Sequence, residues 1–110
     1  MAQALNVFKT VTANVTTSST TVYTAPTGYS TVVLLAQVSN TGGNIVTVSS
    51  NHIRSGVPTN IITNAILPTA DAISLLSGKL ILQTGDSLNV SASANGTAQL
   101  LLSILETANP

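Results

Sequence analysis

Punctuation constrains this chain more than any other feature of it. Gly, Pro and Asn recur at roughly eight- to twelve-residue intervals between short stretches rich in Val, Ile and Thr, a spacing that builds sandwiches and barrels of antiparallel strands. The cuts at Ala25-Pro26-Thr27-Gly28, Asn40-Thr41-Gly42-Gly43, Thr84-Gly85-Asp86 and Asn95-Gly96 supply turn chemistry. Pro presets one φ, and Gly permits a positive φ later in the bend. Strands are expected over residues 6–15, 20–24, 30–39, 44–50, 59–67, 79–83, 87–94 and 98–107. Eight strands in 110 residues make an all-β chain, an antiparallel two-sheet β-sandwich of jelly-roll or immunoglobulin-like type, as one domain over residues 1–110. Asn95-Gly96 is the strongest hairpin signal, because both central positions of a type I′ turn need φ > 0. Residues 70–77 are the best helical candidate, but the stretch is short and closes at Gly78, so a turn or short strand fits equally.

The strands differ in how many of their faces are apolar. In Ser87-Leu88-Asn89-Val90-Ser91-Ala92-Ser93 the alternation is clean, with Leu88, Val90 and Ala92 toward a core and the serines and Asn89 toward water. The last strand carries Leu100, Leu102 and Ile104 on one face and Leu101 and Leu105 on the other. Likewise, placing Val32, Leu34, Ala36 and Val38 inward leaves Val33 and Leu35 outside. Doubly apolar strands belong to sheets covered on both sides, and no crossover helices are present in this sequence to cover them. Each fully buried Leu or Val is worth about 1.5–3 kcal/mol, so shielding Val33, Leu35, Leu101 and Leu105 is a sizeable drive toward association. The plainer alternative is that they lie under loops or stand singly exposed, which needs no explanation.

Residue types that do chemistry are scarce. Three basic and three acidic residues balance to zero net charge, and there is no Cys, no Trp and one His. Disulfides and thiolate metal sites are therefore excluded, and one His with three dispersed acids makes no zinc or calcium pattern. No basic excess points to nucleic acid, and no basic amphipathic stretch points to a membrane surface. His52 with Asp71 or Asp86 and any of many serines is formally a triad, but no Gly-x-Ser-x-Gly elbow exists. Neither an enzyme nor a cofactor is expected. In Asn51-His52-Ile53-Arg54-Ser55-Gly56, an extended backbone places His52 and Arg54 on one side, either as a contact with a partner or as a solvated strand end. Asp86 is expected to accept backbone N–H bonds in its own turn, and Glu106 to be exposed near the C-terminus. The N-terminal Met-Ala-Gln-Ala-Leu-Asn-Val-Phe-Lys has neither the basic flank nor the apolar run of a signal peptide.

Two segments resemble a known pattern. The unit Thr20-Thr21-Val22-Tyr23-Thr24-Ala25-Pro26-Thr27-Gly28-Tyr29-Ser30-Thr31-Val32-Val33-Leu34, followed by Ala36-Gln37-Val38-Ser39-Asn40, is similar to small virion structural proteins of tailed bacteriophages, including those infecting cyanobacteria. The closing Gly78-Lys79-Leu80-Ile81-Leu82-Gln83-Thr84-Gly85-Asp86-Ser87-Leu88-Asn89-Val90 and the final apolar strand resemble the same family. The resemblance implies a non-enzymatic capsid decoration (cement) protein, made in the host cytoplasm and located on the virion. It would bind the major capsid protein or another virion scaffold as a homo-oligomer, with a trimer favoured. A neck, tail or fibre component acting as an adaptor or as a receptor- or glycan-binding module is the alternative. The candidate interface comprises Val33, Leu35, Leu101, Leu105, His52 and Arg54.

Overall fold

The computed structural model describes residues 6–109. Its strands, in chain order, are β1 (Asn6–Val15), β2 (Thr20–Thr24), β3 (Tyr29–Asn40), β4 (Val46–Arg54), β5 (Val57–Leu67), β6 (Ala72–Ser74), β7 (Leu80–Leu82), β8 (Ser87–Ala92) and β9 (Ala98–Ala108). They form two antiparallel sheets. The first has the order β1-β9-β3-β6 with β7 also on β3, and the second the order β2-β8-β4-β5. β6 pairs with residues 37–39 of β3 and β7 with residues 31–33, on the same edge, so the two are halves of one edge strand interrupted at residues 75–79. Counted so, each sheet has four strand positions, and the chain alternates between sheets at every step except β4 to β5. That path is the eight-stranded jelly roll, which decides between the two sandwich types open in the sequence.

The exceptional step is, among the described residues, the one tight hairpin joining neighbours within a sheet. Arg54 lies opposite Val57, and the two residues between them, Ser55 and Gly56, have φ of 51° and 77°. Both central positions are left-handed, as a type I′ turn requires, and Gly56 takes that conformation without steric cost. The hairpin expected at Asn95-Gly96 does not form. β8 and β9 lie in different sheets, and only Gly96 of the pair has a positive φ. The segment crosses the sandwich instead, tied down where the Thr17 N–H donates to Asn95 Oδ1 at 2.8 Å.

Between the sheets lies a core of aliphatic side chains, with Val38, Val48, Leu67, Leu82, Leu88 and Leu102 all at zero exposure. Leu88, Val90 and Ala92 face it from β8, and Leu100, Leu102 and Ile104 from β9, as their alternation predicts. β3 departs from its predicted parity. Val33 lies opposite Ile104 and Leu35 opposite Ser103, so Leu34 is an extra residue, a β-bulge. One inserted residue reverses which side chains point in. Val33 is therefore wholly buried in the chain's own core and is no interface residue, while Ala36 and Val38 point inward as expected. Leu34, expected inside, is instead partly exposed beside Leu35, at 38% and 37%. The segment at 70–77 resolves to the short strand β6 and no helix.

Candidate functional site

Two features of the sandwich stand out: a polar layer inside one end, and the outer face of the first sheet. The layer lies at the end where the β2–β3, β4–β5 and β7–β8 connections meet. Asp86 is buried there, at the close of the Thr84-Gly85-Asp86 turn. Gly85 has φ 87° and donates to the Ala25 carbonyl at 3.0 Å, which turns the Asp86 carboxylate back over its own turn to accept the Gln83 N–H at 3.0 Å. The rest of the carboxylate is filled from β4. Arg54 donates through Nε to Oδ1 at 3.0 Å and through Nη2 to Oδ2 at 2.6 Å, and His52 donates from Nε2 to Oδ2 at 3.0 Å. His52 and Arg54 do share one side of their strand, but that side points inward. The His52 side chain is 85% covered, so it is an anchor for Asp86 and presents no contact surface, whereas Arg54 remains half exposed. The Arg54 hydrogen bonds hold the Asp86 carboxyl well below the usual carboxylate range against the opposing effect of burial, with His52 and Gln83 adding to them.

The opposite sheet carries a second buried carboxylate. Glu106, expected to be exposed, is buried, because β9 continues past it to Ala108 and its parity points it inward with Leu102 and Ile104. The Tyr23 phenol donates to Oε2 at 2.5 Å, and Lys9 pairs with Oε1 at 3.0 Å. Since the single phenolic proton goes to the carboxylate, the Thr31 hydroxyl, 2.8 Å from the phenol oxygen, is the donor in that pair. Burial pushes Glu106 up, but Tyr23 and Lys9 outweigh it and leave its carboxyl below its ordinary value. Tyr23 is pushed up to about 12, first by burial and then by the carboxylate it serves.

The polar groups of this layer are engaged with one another and with the backbone. The His52 imidazole is directed at Asp86, and the Ser50 hydroxyl, on the same inward side of β4, donates to the Asn89 carbonyl at 2.9 Å. Among the described residues, no three His, Asp or Glu side chains come together to hold a metal ion. Four of the six charged residues are consumed in the two clusters, leaving Asp71 and Lys79 outside them. The surface thus carries few unpaired formal charges, and little repulsion keeps copies apart.

The outer face of the first sheet is apolar in a way only the register reveals. Phe8 lies opposite Leu105, Leu105 opposite Val32, and Val32 opposite Ile81, so one row of large aliphatic and aromatic side chains crosses all four strand positions. Phe8 is 74% exposed and Ile81 52%, and Leu34 and Leu35 stand beside the row where the bulge lifts them. Two shallow depressions flank Leu34, one with Phe8, Thr10 and Ser103, the other with Leu35, Ser74 and Leu76. A third, of about 420 Å³, lies farther along the same face between Thr12, Asn14, Ser39, Gln99 and Leu101. Leu35, Leu101 and Leu105 of the expected interface are therefore brought together on one face. Phe8, Val32 and Ile81 were missed, although period-two alternation in residues 6–15 could have placed Phe8 on the outside.

No protein-family model and no curated protein matches the sequence. Among solved structures the chain is similar to a protein of Bacillus endospore appendages, described as a novel family of disulfide-linked pili. Identity is 13%, 98% of this chain and 93% of that one are covered, and the TM-score is 0.58. The likeness is one of fold.

Proposed function

We propose that this chain is a non-enzymatic structural subunit that works by adhesion, and in particular a phage capsid decoration protein that coats and stabilises the particle as a homo-oligomer. The observation that carries this reading is the contiguous row Phe8, Leu105, Val32 and Ile81 on a surface with few unpaired formal charges. A solitary sandwich gains nothing by holding such a row in water, while a subunit seated on a scaffold removes it from water. The resemblance of residues 20–40 and 78–106 to small virion proteins supplies the particle. Stabilisation then follows by mass action, since a protein that binds only the assembled shell adds its binding free energy to that shell.

A second reading, a subunit of a surface appendage, is favoured by the structural likeness to the Bacillus protein. These 110 residues contain no cysteine, so a polymer built from them is held without disulfides. Sedimentation across a wide concentration range, with electron microscopy of the same samples, tests both. A discrete oligomer that co-sediments with phage capsids is the result expected for decoration, and open filaments for an appendage. A chain that stays monomeric at millimolar concentration and ignores capsids sinks both.

A further inference from the structure

The two sheets end in four edges, and three of them are blunted. β2 is five residues long with a register shift between Thr21 and Tyr23. β5 has shifts at two places, a Pro at position 58 and a left-handed Asn64 with φ 50°. The β6/β7 edge is broken into two three-residue pieces. Short, bulged, Pro-bearing or interrupted edges are the ordinary means by which sandwiches refuse a further strand. β1 uses none of these. It runs for ten residues in unbroken register with β9, from Asn6 opposite Thr107 to Val15 opposite Ala98, without Pro or bulge. Among the described residues no strand pairs with its other side.

We propose that the β1 edge is an interface, and that its occupant is β1 of a second copy, added antiparallel about a two-fold axis perpendicular to the sheet. Charge on the strand points to a like copy: its single charge, Lys9, is neutralised within its own subunit by Glu106, so two such strands meet without unpaired like charges, and a strongly acidic or basic partner gains nothing. Edge geometry points the same way. The chain's other edges are too short or too irregular to match ten straight residues, and β1 is the one edge that does. With Val11 on the two-fold axis, outward Thr10 comes opposite Thr12 of the second copy and Thr12 opposite its Thr10, and Thr–Thr pairs are favourable across antiparallel strands. The two first sheets become one, and their apolar rows join into a single outer surface. A two-fold contact builds even-numbered assemblies, in place of the plain trimer implied by the virion resemblance.

This inference shares with the proposed function the premise of self-association, but it concerns the strand edge and not the apolar face, and the experiment separates them. Because the chain has no cysteine, single-cysteine variants report unambiguously. Residues directly opposite in an antiparallel pair have Cα atoms about 4.5–5.5 Å apart, within disulfide reach. An equimolar mixture of Thr10→Cys and Thr12→Cys chains is expected to form a covalent dimer on mild oxidation, and Thr21→Cys on β2, Thr59→Cys on β5 and Ser74→Cys on β6 to remain single. A double variant T10K/T12K, and separately T10E/T12E, is expected to weaken the dimer about tenfold or more, with an equimolar mixture restoring it. Cross-linking through β2, β5 or β6 and not β1, or a dimer indifferent to both charge pairs, overturns the edge proposal while leaving adhesion standing. A chain that is monomeric and also fails to bind capsids overturns both.

Discussion

The outer faces of the two sheets are built from the same few residue types and come out differently. Across the second sheet, the row through Thr21, Asn89, Asn51 and Asn60 is polar on all four strands, with Thr21 donating to Asn89 at 2.8 Å, and Thr24 and Ser87 pair beside it at 3.0 Å. Across the first sheet, the corresponding row is Phe8, Leu105, Val32 and Ile81. Exposure alone does not separate the faces, because Ile66 on the second sheet is 66% exposed. Its neighbour across the strand is Thr47, whose own neighbour is Ser93, so no apolar row crosses the sheet at Ile66. The difference lies in contiguity: an isolated exposed aliphatic is ordinary, and a row crossing a whole sheet is not.

The sheets also differ in how each holds its buried carboxylate, and the sharpest way to break that comparison is to remove them. Asp86 is gripped by a two-pronged Arg54, by His52 and by a backbone N–H, while Glu106 has one phenol and one half-exposed lysine. Asp86→Ala strands a covered imidazole and a backbone donor, although Arg54 can turn to water. A loss of about 3 kcal/mol is expected, at the low end for broken buried pairs. Glu106→Ala leaves the Tyr23 hydroxyl without its acceptor and lets Lys9 rehydrate, an expected loss of about 1–2 kcal/mol. Urea unfolding of both variants at neutral pH gives the ranking, and a reversed order would show that the fork of Arg54 is not what distinguishes the two sites.

Acid and alkali test the same pair without mutation. Both carboxyls titrate below their ordinary values in the folded chain, so each contributes stability that is present above the ordinary carboxylate range and lost as pH falls through the folded value. Tyr23 runs the other way: raised from 10.0 to about 12, its contribution is complete below pH 10 and fades between 10 and 12. The melting temperature is therefore expected to fall on both sides of a broad neutral plateau. Glu106→Gln should flatten part of the acid limb and Asp86→Asn a larger part. An acid limb unchanged in Asp86→Asn would remove that carboxylate from the account.

What the sequence disclosed and what it withheld divide along the range of the interactions involved. The sandwich, its eight strand positions and the inward sets of β8 and β9 follow from alternation and turn residues, which are local. Even the grouping of His52 with Arg54 follows from period two. Their partner does not, since Asp86 lies 32 residues beyond Arg54 and only the pairing of β4 with β8 brings it there. Val33 was placed on the wrong face because a bulge in an unbroken run of aliphatics leaves no mark on composition: any residue of Val32-Val33-Leu34-Leu35 could have been the extra one. Asn95-Gly96 misled for the opposite reason, its local hairpin chemistry being overridden by a chain that changes sheets there, while Ser55-Gly56, a weaker signal, makes the actual type I′ turn. The apolar row is the least legible feature, as its four members come from four strands and no one segment shows it.

The smallest effect expected on stability is the most discriminating for the faces. Phe8 and Ile81 protrude from the two ends of the apolar row, so the double variant Phe8→Ser/Ile81→Ser removes little that is packed within the subunit, and unfolding free energy should move by no more than about 1 kcal/mol. Ile66→Ser on the other sheet removes an equally exposed aliphatic and serves as the matched control. If contiguity defines the working face, the double variant loses capsid binding or self-association while Ile66→Ser retains both. If exposure alone were responsible, the two would weaken association alike, because Phe8, Ile81 and Ile66 are each more than half exposed. Equal losses would therefore return the first sheet to the status of an ordinary surface, whatever its row of side chains, and equal retention would remove the face from the mechanism and leave the β1 edge to account for any assembly the chain forms.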